Sequence, residues 1–218
     1  MPKRLPLTLW LLLLALPSGG SLAADTSPRA FEARYYLEVD GWPDADIQHR
    51  LEATASGWQS RMSATLPGMS GHEVGRFRVG EASLQAYYYA SGYSLLGIKK
   101  SYKLDHQALA TLPDRQSALF ALARRAIERS CASTCRVDYV DHRGRKESVD
   151  YRVMGRRTLD LPAGEFEALQ VEVTSADEDQ RRLVFDFLPR LPGLLLSMTY
   201  YSDGQRKSRL EMTHLATP

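Results

Sequence analysis

The histidines are the first candidates for chemistry, because imidazole is the side chain best suited to acid–base catalysis near neutral pH and a frequent metal ligand. The five histidines are scattered, and no two have metal-ligand spacing: His49, His72, His106, His142 and His214. The stretch GHEVGR at 71–76 begins like a zinc-protease motif, but Arg76 stands where the second histidine is required. The stretch GMSGH at 68–72 is one residue short of a G-x-S-x-G nucleophile turn. These spacings predict no catalytic residue and no metal site.

Other motifs for chemistry are also missing from the sequence. It contains no glycine-rich loop for a phosphate or a dinucleotide, so no cofactor is predicted. A pair of catalytic carboxylates cannot be recognised from spacing, because the two groups need only meet in space. We therefore predict a non-enzymatic protein and retain a hydrolase as the less favoured alternative.

The two cysteines, Cys131 and Cys135, form the pattern C-x3-C directly after a predicted helix. A redox pair favours C-x-x-C at a helix N-terminus, where the helix dipole stabilises a thiolate. A zinc site would need two more ligands, and only His142 is near in sequence. In an oxidising compartment these cysteines are expected to form a structural disulfide.

Aromatic and apolar side chains alternate along several segments and suggest a binding surface. We predict that an apolar ligand is held beneath the helix by a concave sheet face lined by Phe31, Tyr35, Leu37, Tyr88, Phe185 and Met198. The alternative is plain strand packing, since tyrosine is a favoured strand residue. In the stretch LQAYYYASGY at 84–93, alternation places Tyr88 on the same face as Leu84 and Ala86.

The N-terminal residues predict export. Lys3 and Arg4 precede an apolar run, and Ser21-Leu22-Ala23 offers a cleavage site, so residues 1–23 are predicted to be a signal peptide. An apolar run of about 12 residues is too short to span a bilayer. Without Lys3 and Arg4, 26 basic and 26 acidic residues remain. This balance argues against nucleic-acid binding, and we expect a protein of the Gram-negative periplasm that is not integral to the membrane.

The elements that would position such a surface are mostly strands. Apolar residues alternate with polar ones in many segments, as in Phe31 to Val39, which is typical of antiparallel strands with one buried face. We count about ten strands. One segment differs: Asp114 can cap an amphipathic helix from Arg115 to about Arg129, with Leu119, Leu122 and Ile127 on its apolar stripe.

Two further stretches concern the position of strands in the sheet. Leu194-Leu195-Leu196 is apolar on both faces, which fits either a covered central strand or an exposed edge near Leu194 to Tyr201. The stretch LPAGEF at 161–166 predicts a tight reversal, because Pro162 presets φ and Gly164 allows a positive φ. The sequence shows no long linker, internal repeat or low-complexity tract, so residues 24–218 are predicted to form one domain.

The C-terminal third carries a resemblance to a known family. The stretches LDLPAGEFEALQVEV, LVFDFLPRLPGLLLSMTYY and KSRLEMTHL, with FEARYYLEVDG near the start, resemble the exported bacterial family known as domain of unknown function 3108. The leucine run after Pro192 departs from that family's pattern. The resemblance implies a fold similar to the periplasmic lipoprotein-carrier half-barrels: mainly β, with a strongly curved antiparallel sheet and one amphipathic helix in or across its concave face. It implies no catalytic residue.

These observations lead to a functional hypothesis. We expect a periplasmic protein of the cell envelope that binds an apolar or lipid-like ligand in a half-barrel concavity. The alternatives are an envelope interaction or scaffold protein that uses an exposed sheet edge, and a hydrolase acting on envelope polymers.

Overall fold

The computed structural model describes residues 25–81, 83–128, 131–175 and 180–218. The predicted signal peptide, residues 1–23, lies outside the described residues. The helix is α1 (Arg115–Glu128). The strands are β1 (Phe31–Val39), β2 (Ala45–Thr54), β3 (Gly57–Leu66), β4 (Met69–Val79), β5 (Leu84–Leu95), β6 (Ile98–Leu104), β7 (Cys135–Val140), β8 (Lys146–Leu161), β9 (Gly164–Ser175), β10 (Arg181–Phe187), β11 (Leu195–Ser202) and β12 (Gln205–Ala216).

All twelve strands belong to one antiparallel sheet in the order β6-β5-β4-β3-β2-β1-β12-β11-β10-β9-β8-β7. The first and last strands pair with each other in the middle, and the chain crosses from the edge strand β6 to the edge strand β7 through α1. Several β-bulges interrupt the ladders, for example between Arg76 and Phe77, and bulges bend strands. The predicted class, an open curved sheet with one helix, is confirmed.

The face against which α1 packs is the concave face, and the opposite face is the outer face. The helix contacts β3, β4 and β5 on one arm of the sheet and β7 and β9 on the other. Phe120 and Leu122 are buried, and the predicted stripe residues Leu119 and Ile127 are half-buried against the same core. The helix therefore fills the middle of the concavity and joins the two arms.

The helix begins where the sequence predicts. The Asp114 carboxylate accepts hydrogen bonds from the backbone N–H groups of Gln116 (2.9 Å) and Ser117 (3.0 Å) and from the Ser117 hydroxyl (2.6 Å). These bonds satisfy amides that an uncapped helix leaves without partners. Asp114 is fully buried, and this burial raises the pKa of its carboxyl group to about 6, against the opposing effect of the hydrogen bonds.

The disulfide is confirmed: Cys131 and Cys135 are bonded, with their Cα atoms 6.2 Å apart. The carbonyl of Cys131 also accepts a hydrogen bond from the Val153 amide on β8 (2.7 Å). The covalent link and this hydrogen bond attach the segment that follows α1 to the β7 arm.

The leucine run lies in the interior of the sheet. The strand β11 is flanked by β10 and β12, and Leu194, Leu195 and Leu196 are all buried. The exposed edge proposed near Leu194 to Tyr201 is therefore wrong, because both sides of this strand are already hydrogen-bonded. The sheet edges are β6 and β7. Near these edges Leu104 and Val140 pack in one cluster with Leu109.

The turn at LPAGEF has the predicted form. The strands β8 and β9 meet at Leu161 and Gly164, with only two residues between them, and Gly164 has a φ of +119°. The strand β9 lies between β8 and β10 and is buried on both faces, at Ala168 and Leu169 for example. This stretch thus has an architectural role.

Candidate ligand pocket on the concave face

The space directly under α1 is filled by side chains. Phe31 and Tyr35 are 2% and 1% exposed, and the Tyr35 hydroxyl donates to the Leu195 carbonyl at 3.0 Å. The small gap between β1–β3 and the helix has a volume of about 10 Å³, room for no more than one water molecule. The concavity is therefore closed at the place where a ligand was expected.

An open cavity of about 410 Å³ lies beside the N-terminus of α1. It forms where concave positions of neighbouring strands meet in register, since Ile47 pairs with Ala64, Ala64 with Gly71, and Gly71 with Tyr93. Five strands, the start of the helix and the loop after β7 supply its lining: Ile47, Met62, Ser63, Ala64, Gly71, His72, Glu73, Ser91, Gly92, Tyr93, Tyr102, Arg115 and His142.

One wall of this pocket is apolar. Ile47, Met62 and Ala64 form it, together with the bare backbone of Gly71. A Cβ added at Gly71 would come no nearer than 3.8 Å to any other atom, so open space lies above this glycine. Tyr93 borders the cavity and is 44% exposed, which places it at the mouth.

The other end of the pocket is polar. The Arg115 guanidinium forms an ion pair with Glu73 and donates from Nε to the Tyr89 hydroxyl at 3.2 Å. The second Glu73 oxygen accepts from Gln116 Nε2 at 3.0 Å. Burial lowers the pKa of Arg115 and raises the pKa of the Tyr89 hydroxyl to about 12. At neutral pH this end therefore presents an ion pair with no net charge.

His142 completes the polar end. Its ring meets the Tyr102 ring edge-on with centroids 4.6 Å apart, and its Nδ1 is buried with no hydrogen-bond partner in the described part of the chain. Burial, followed by the nearby Arg115 charge, lowers the pKa of His142, so the ring is neutral at pH 7. His72 borders the cavity with its backbone, because its ring lies over Gly92 on the outer face of the sheet. His142 is thus the histidine whose ring lies at the pocket, and its sequence position did not indicate this.

A buried hydrogen-bond chain runs from the pocket into the core. The Ser60 hydroxyl donates to Gln116 Oε1 at 2.9 Å and lies 2.9 Å from His49 Nε2. Because the Ser60 hydroxyl donates its proton to Gln116, His49 Nε2 must carry a proton and donate it to the Ser60 oxygen. His49 Nδ1 is then unprotonated, and it has no hydrogen-bond partner within the described residues. Burial lowers the pKa of His49 to about 4, since a proton on Nδ1 would have no acceptor.

This histidine gives a pH-dependent stability prediction. Its pKa is lower in the folded chain than in the unfolded chain, so the unfolded state binds more protons between about pH 4 and 6.5. Stability is therefore lost as the pH falls through this window, by about 2 kcal/mol between pH 7 and pH 5. We expect His49→Gln to lose less stability over the same interval in urea unfolding.

The Asp114 carboxyl acts in the opposite direction in both proteins, because its raised pKa makes the folded state bind more protons below pH 6. Its contribution cancels when the two proteins are compared. His214→Gln, at an exposed site on β12, is the matched control and should follow the wild type. Identical pH profiles for His49→Gln and wild type would contradict the assignment.

Three of the six residues predicted to bind a ligand lie on neighbouring strands of the concave face. Leu37, Met198 and Phe185 lie on the concave face and are connected in register through Leu210, across β1, β12, β11 and β10. They are half-buried against the core, whereas Phe31 and Tyr35 belong to its filled centre. None of the predicted residues lines the 410 Å³ pocket.

Tyr88 lies on the other face of the sheet, contrary to the prediction. It pairs with Arg76, whose guanidinium lies 4.8 Å from the Tyr88 ring centroid, and the neighbouring Gly75 faces the helix. The reason is a bulge: Phe77 pairs with Ala86 but Arg76 pairs with Tyr88, so Tyr87 is an extra residue that reverses the alternation. Tyr89 therefore takes the buried concave position.

In residues 25–81, 83–128, 131–175 and 180–218, no three histidine, cysteine, aspartate or glutamate side chains are placed to hold a metal ion. Over the same ranges, no helix is long and apolar enough to cross a membrane.

The chain is similar in arrangement to several solved structures, among them the following three. A candidate lipoprotein from Parabacteroides distasonis is 10% identical, with 88% of this chain and 98% of that chain covered and a TM-score of 0.41. A chain of the Pseudomonas aeruginosa MucA/MucB complex is 16% identical, with 90% and 56% covered and a TM-score of 0.43. The hypothetical lipoprotein YmcC from Escherichia coli is 12% identical, with 91% of each chain covered and a TM-score of 0.31.

Sequence comparison adds no family assignment. No protein-family model matches the chain, and no curated protein matches it in sequence. The resemblance to domain of unknown function 3108 therefore stays a prediction. The chain is similar in arrangement to the solved structures above, and at these TM-scores that similarity carries no conclusion about its ligand or partners.

Proposed function

We propose that this chain is an exported, non-enzymatic protein of the bacterial periplasm that binds an apolar or lipid-like small molecule in its concave pocket. The observation that carries the proposal is the cavity of about 410 Å³ beside the N-terminus of α1, which no side chain fills. This volume lies in the usual range of small-molecule sites, about 300–1,000 Å³. The ligand site thus lies beside the helix and not beneath it.

The distribution of polar groups favours an amphipathic ligand. An apolar chain can lie along Ile47, Met62 and Ala64 and replace water there, which is the main favourable contribution to binding. A polar group of the ligand would then lie at the polar end of the pocket, beside Arg115 and Glu73. Because Glu73 already neutralises Arg115, we expect this polar group to be recognised by hydrogen bonds and not by charge.

The hydrolase alternative receives less support from this pocket. Glu73 is occupied by Arg115 and Gln116, and no hydrogen bond within the described ranges joins His72 or His142 to a serine or a carboxylate. An activated nucleophile requires such a bond between the nucleophile and its base. The scaffold alternative would now have to use the edges β6 or β7. Three lysines on β6, Lys99, Lys100 and Lys103, disfavour the addition of another strand there.

Direct observation of the ligand is the main test. The protein is purified from the periplasm of its own host without detergent and examined by native mass spectrometry, followed by organic extraction. We expect a bound mass that is released by the organic solvent. A chain that remains ligand-free in several preparations and binds no apolar fluorescent probe would contradict the proposal.

A variant that fills the pocket tests whether the ligand binds at this site. We expect Gly71→Leu to weaken binding of an apolar fluorescent probe at least about tenfold, because the new side chain occupies the open space above Gly71. Ser70→Leu is the matched control, since it adds the same side chain to the opposite, exposed face of the same strand. Equal probe affinities for the two variants, measured by fluorescence titration, would place the ligand elsewhere.

A further inference from the structure

The hairpin between β5 and β6 has an unusual tip. Leu96 and Gly97 form its two-residue turn with φ values of +48° and +87°. Such a turn favours Asn, Asp or Gly at the first position, because a larger side chain is strained at positive φ. The hairpin between β11 and β12 follows this rule, with Asp203 and Gly204 at +52° and +73°. The leucine is therefore not explained by the stability of the turn.

Leu96 is also the most exposed large apolar side chain in the described part of the chain. It is 82% exposed, and Ile98 beside it is 66% exposed. The tip is nevertheless held in place, because the Leu96 amide donates to the Gly68 carbonyl at 2.9 Å and the Leu96 side chain lies over Gly68. Two neighbouring hairpins thus support one projecting apolar point.

The surroundings of this point are basic. Lys99, Lys100 and Lys103 follow it on β6, and the two hairpin segments, residues 60–72 and 86–104, contain no acidic residue. The neighbouring strands carry carboxylates at Glu73 on β4, which is paired with Arg115, and at Asp46 on β2, three strands away from β5. Edge lysines also discourage strand addition, but this role does not explain an exposed leucine at positive φ.

We propose that the tip of the β5–β6 hairpin docks the protein on an anionic lipid surface. Leu96 and Ile98 enter the boundary between headgroups and acyl chains, and Lys99 and Lys100 meet the headgroup phosphates. An apolar point combined with clustered cations is the chemistry that such a surface binds. Tyr93, on the same hairpin, borders the mouth of the 410 Å³ pocket, so docking brings that mouth to the lipid. Docking itself does not require the pocket to be filled.

The test uses vesicles of phosphatidylglycerol and phosphatidylcholine, with pure phosphatidylcholine vesicles for comparison. We expect the protein from the periplasm to co-sediment with the anionic vesicles and to be released by salt. Leu96→Asn should weaken this binding about tenfold while it raises the urea midpoint, because asparagine tolerates the positive φ. Lys99→Glu with Lys100→Glu should weaken binding by at least about fivefold per charge.

Matched controls separate a local effect from a general one. Met154→Asn removes an exposed apolar side chain from β8, and Arg190→Glu reverses an exposed charge in the loop before β11. Both should keep wild-type binding. Gly71→Leu should also keep it, so a failure of the ligand proposal remains distinguishable from a failure of this one.

Three results would overturn the docking proposal. The first is that the wild-type protein does not co-sediment with the anionic vesicles. The second is binding that Leu96→Asn and the lysine variants leave unchanged. The third is equal binding to charged and neutral vesicles, which would remove the role of the lysines.

Discussion

Replacing Arg157 by alanine is expected to lower the free energy of unfolding by about 3 kcal/mol, because it leaves a buried carboxylate without its main partner. Asp186 is 1% exposed on the outer face of the sheet. Its two oxygens accept from Arg157 Nε at 2.9 Å and Nη2 at 2.6 Å, and the Ser197 hydroxyl adds a third bond at 2.6 Å. Urea unfolding at pH 7 measures the loss.

The neighbouring Arg156 provides the matched control. It forms an ion pair with Glu167 in which both side chains are about 60% exposed. An exposed pair contributes about 0–1 kcal/mol, so Arg156→Ala should change stability little. Equal losses for the two variants would show that burial of Asp186 is not the cause.

A second variant tests whether the unpaired charge of Asp186 causes the loss of stability. Arg157→Ala combined with Asp186→Leu removes both partners and leaves no buried charge, so it should lose less stability than Arg157→Ala alone. A double variant less stable than the single one would contradict this explanation.

This ion pair also indicates how the arm opposite the pocket is held. Arg157 lies on β8 and Asp186 on β10, with β9 between them. The pair therefore bridges three strands, and Glu172 on β9 is likewise contacted by both Arg152 and Arg182. These contacts stiffen one arm of the sheet by its outer face, while the other arm keeps its concave face open for the pocket.

Local features of the fold could be predicted because they depend on local sequence. The alternation from Phe31 to Val39 gives β1 with its observed bounds, since side chains in a strand point alternately to the two faces. The helix and its Asp114 cap are predicted for the same reason: capping involves residues two and three positions apart. The disulfide also joins residues close in sequence.

Features that depend on pairing could not be predicted. Whether β11 is an edge or a central strand depends on its pairing with β12. The strand β12 also pairs with β1, from the opposite end of the chain, and no local sequence pattern indicates this contact. The bulge at Tyr87 places Tyr88 on the outer face of the sheet, and the alternation of apolar and polar residues in the sequence does not indicate this bulge. The pocket combines residues of five strands, and two of these residues, Gly71 and Ser91, have no distinctive chemistry.

Gly75 lies directly against the start of α1, and we expect Gly75→Ala to cost about 3 kcal/mol. A Cβ there would lie 2.8 Å from Asp114 Oδ1 and 2.9 Å from Gln116 Cβ. The methyl group would displace the capping carboxylate and the first turn of α1 together. Urea unfolding measures the cost, and probe titration should also show weakened binding, because Gln116 holds Glu73 at the polar end of the pocket.

Gly71 is four residues away on the same face of the same strand and serves as the control. A Cβ at Gly71 meets nothing nearer than 3.8 Å, so Gly71→Ala should be neutral or slightly stabilising in a strand. The two substitutions are chemically identical and differ only in whether the helix lies above the glycine. If both were tolerated, the helix would not be seated on β4 as described, and the polar end of the pocket would lose its support.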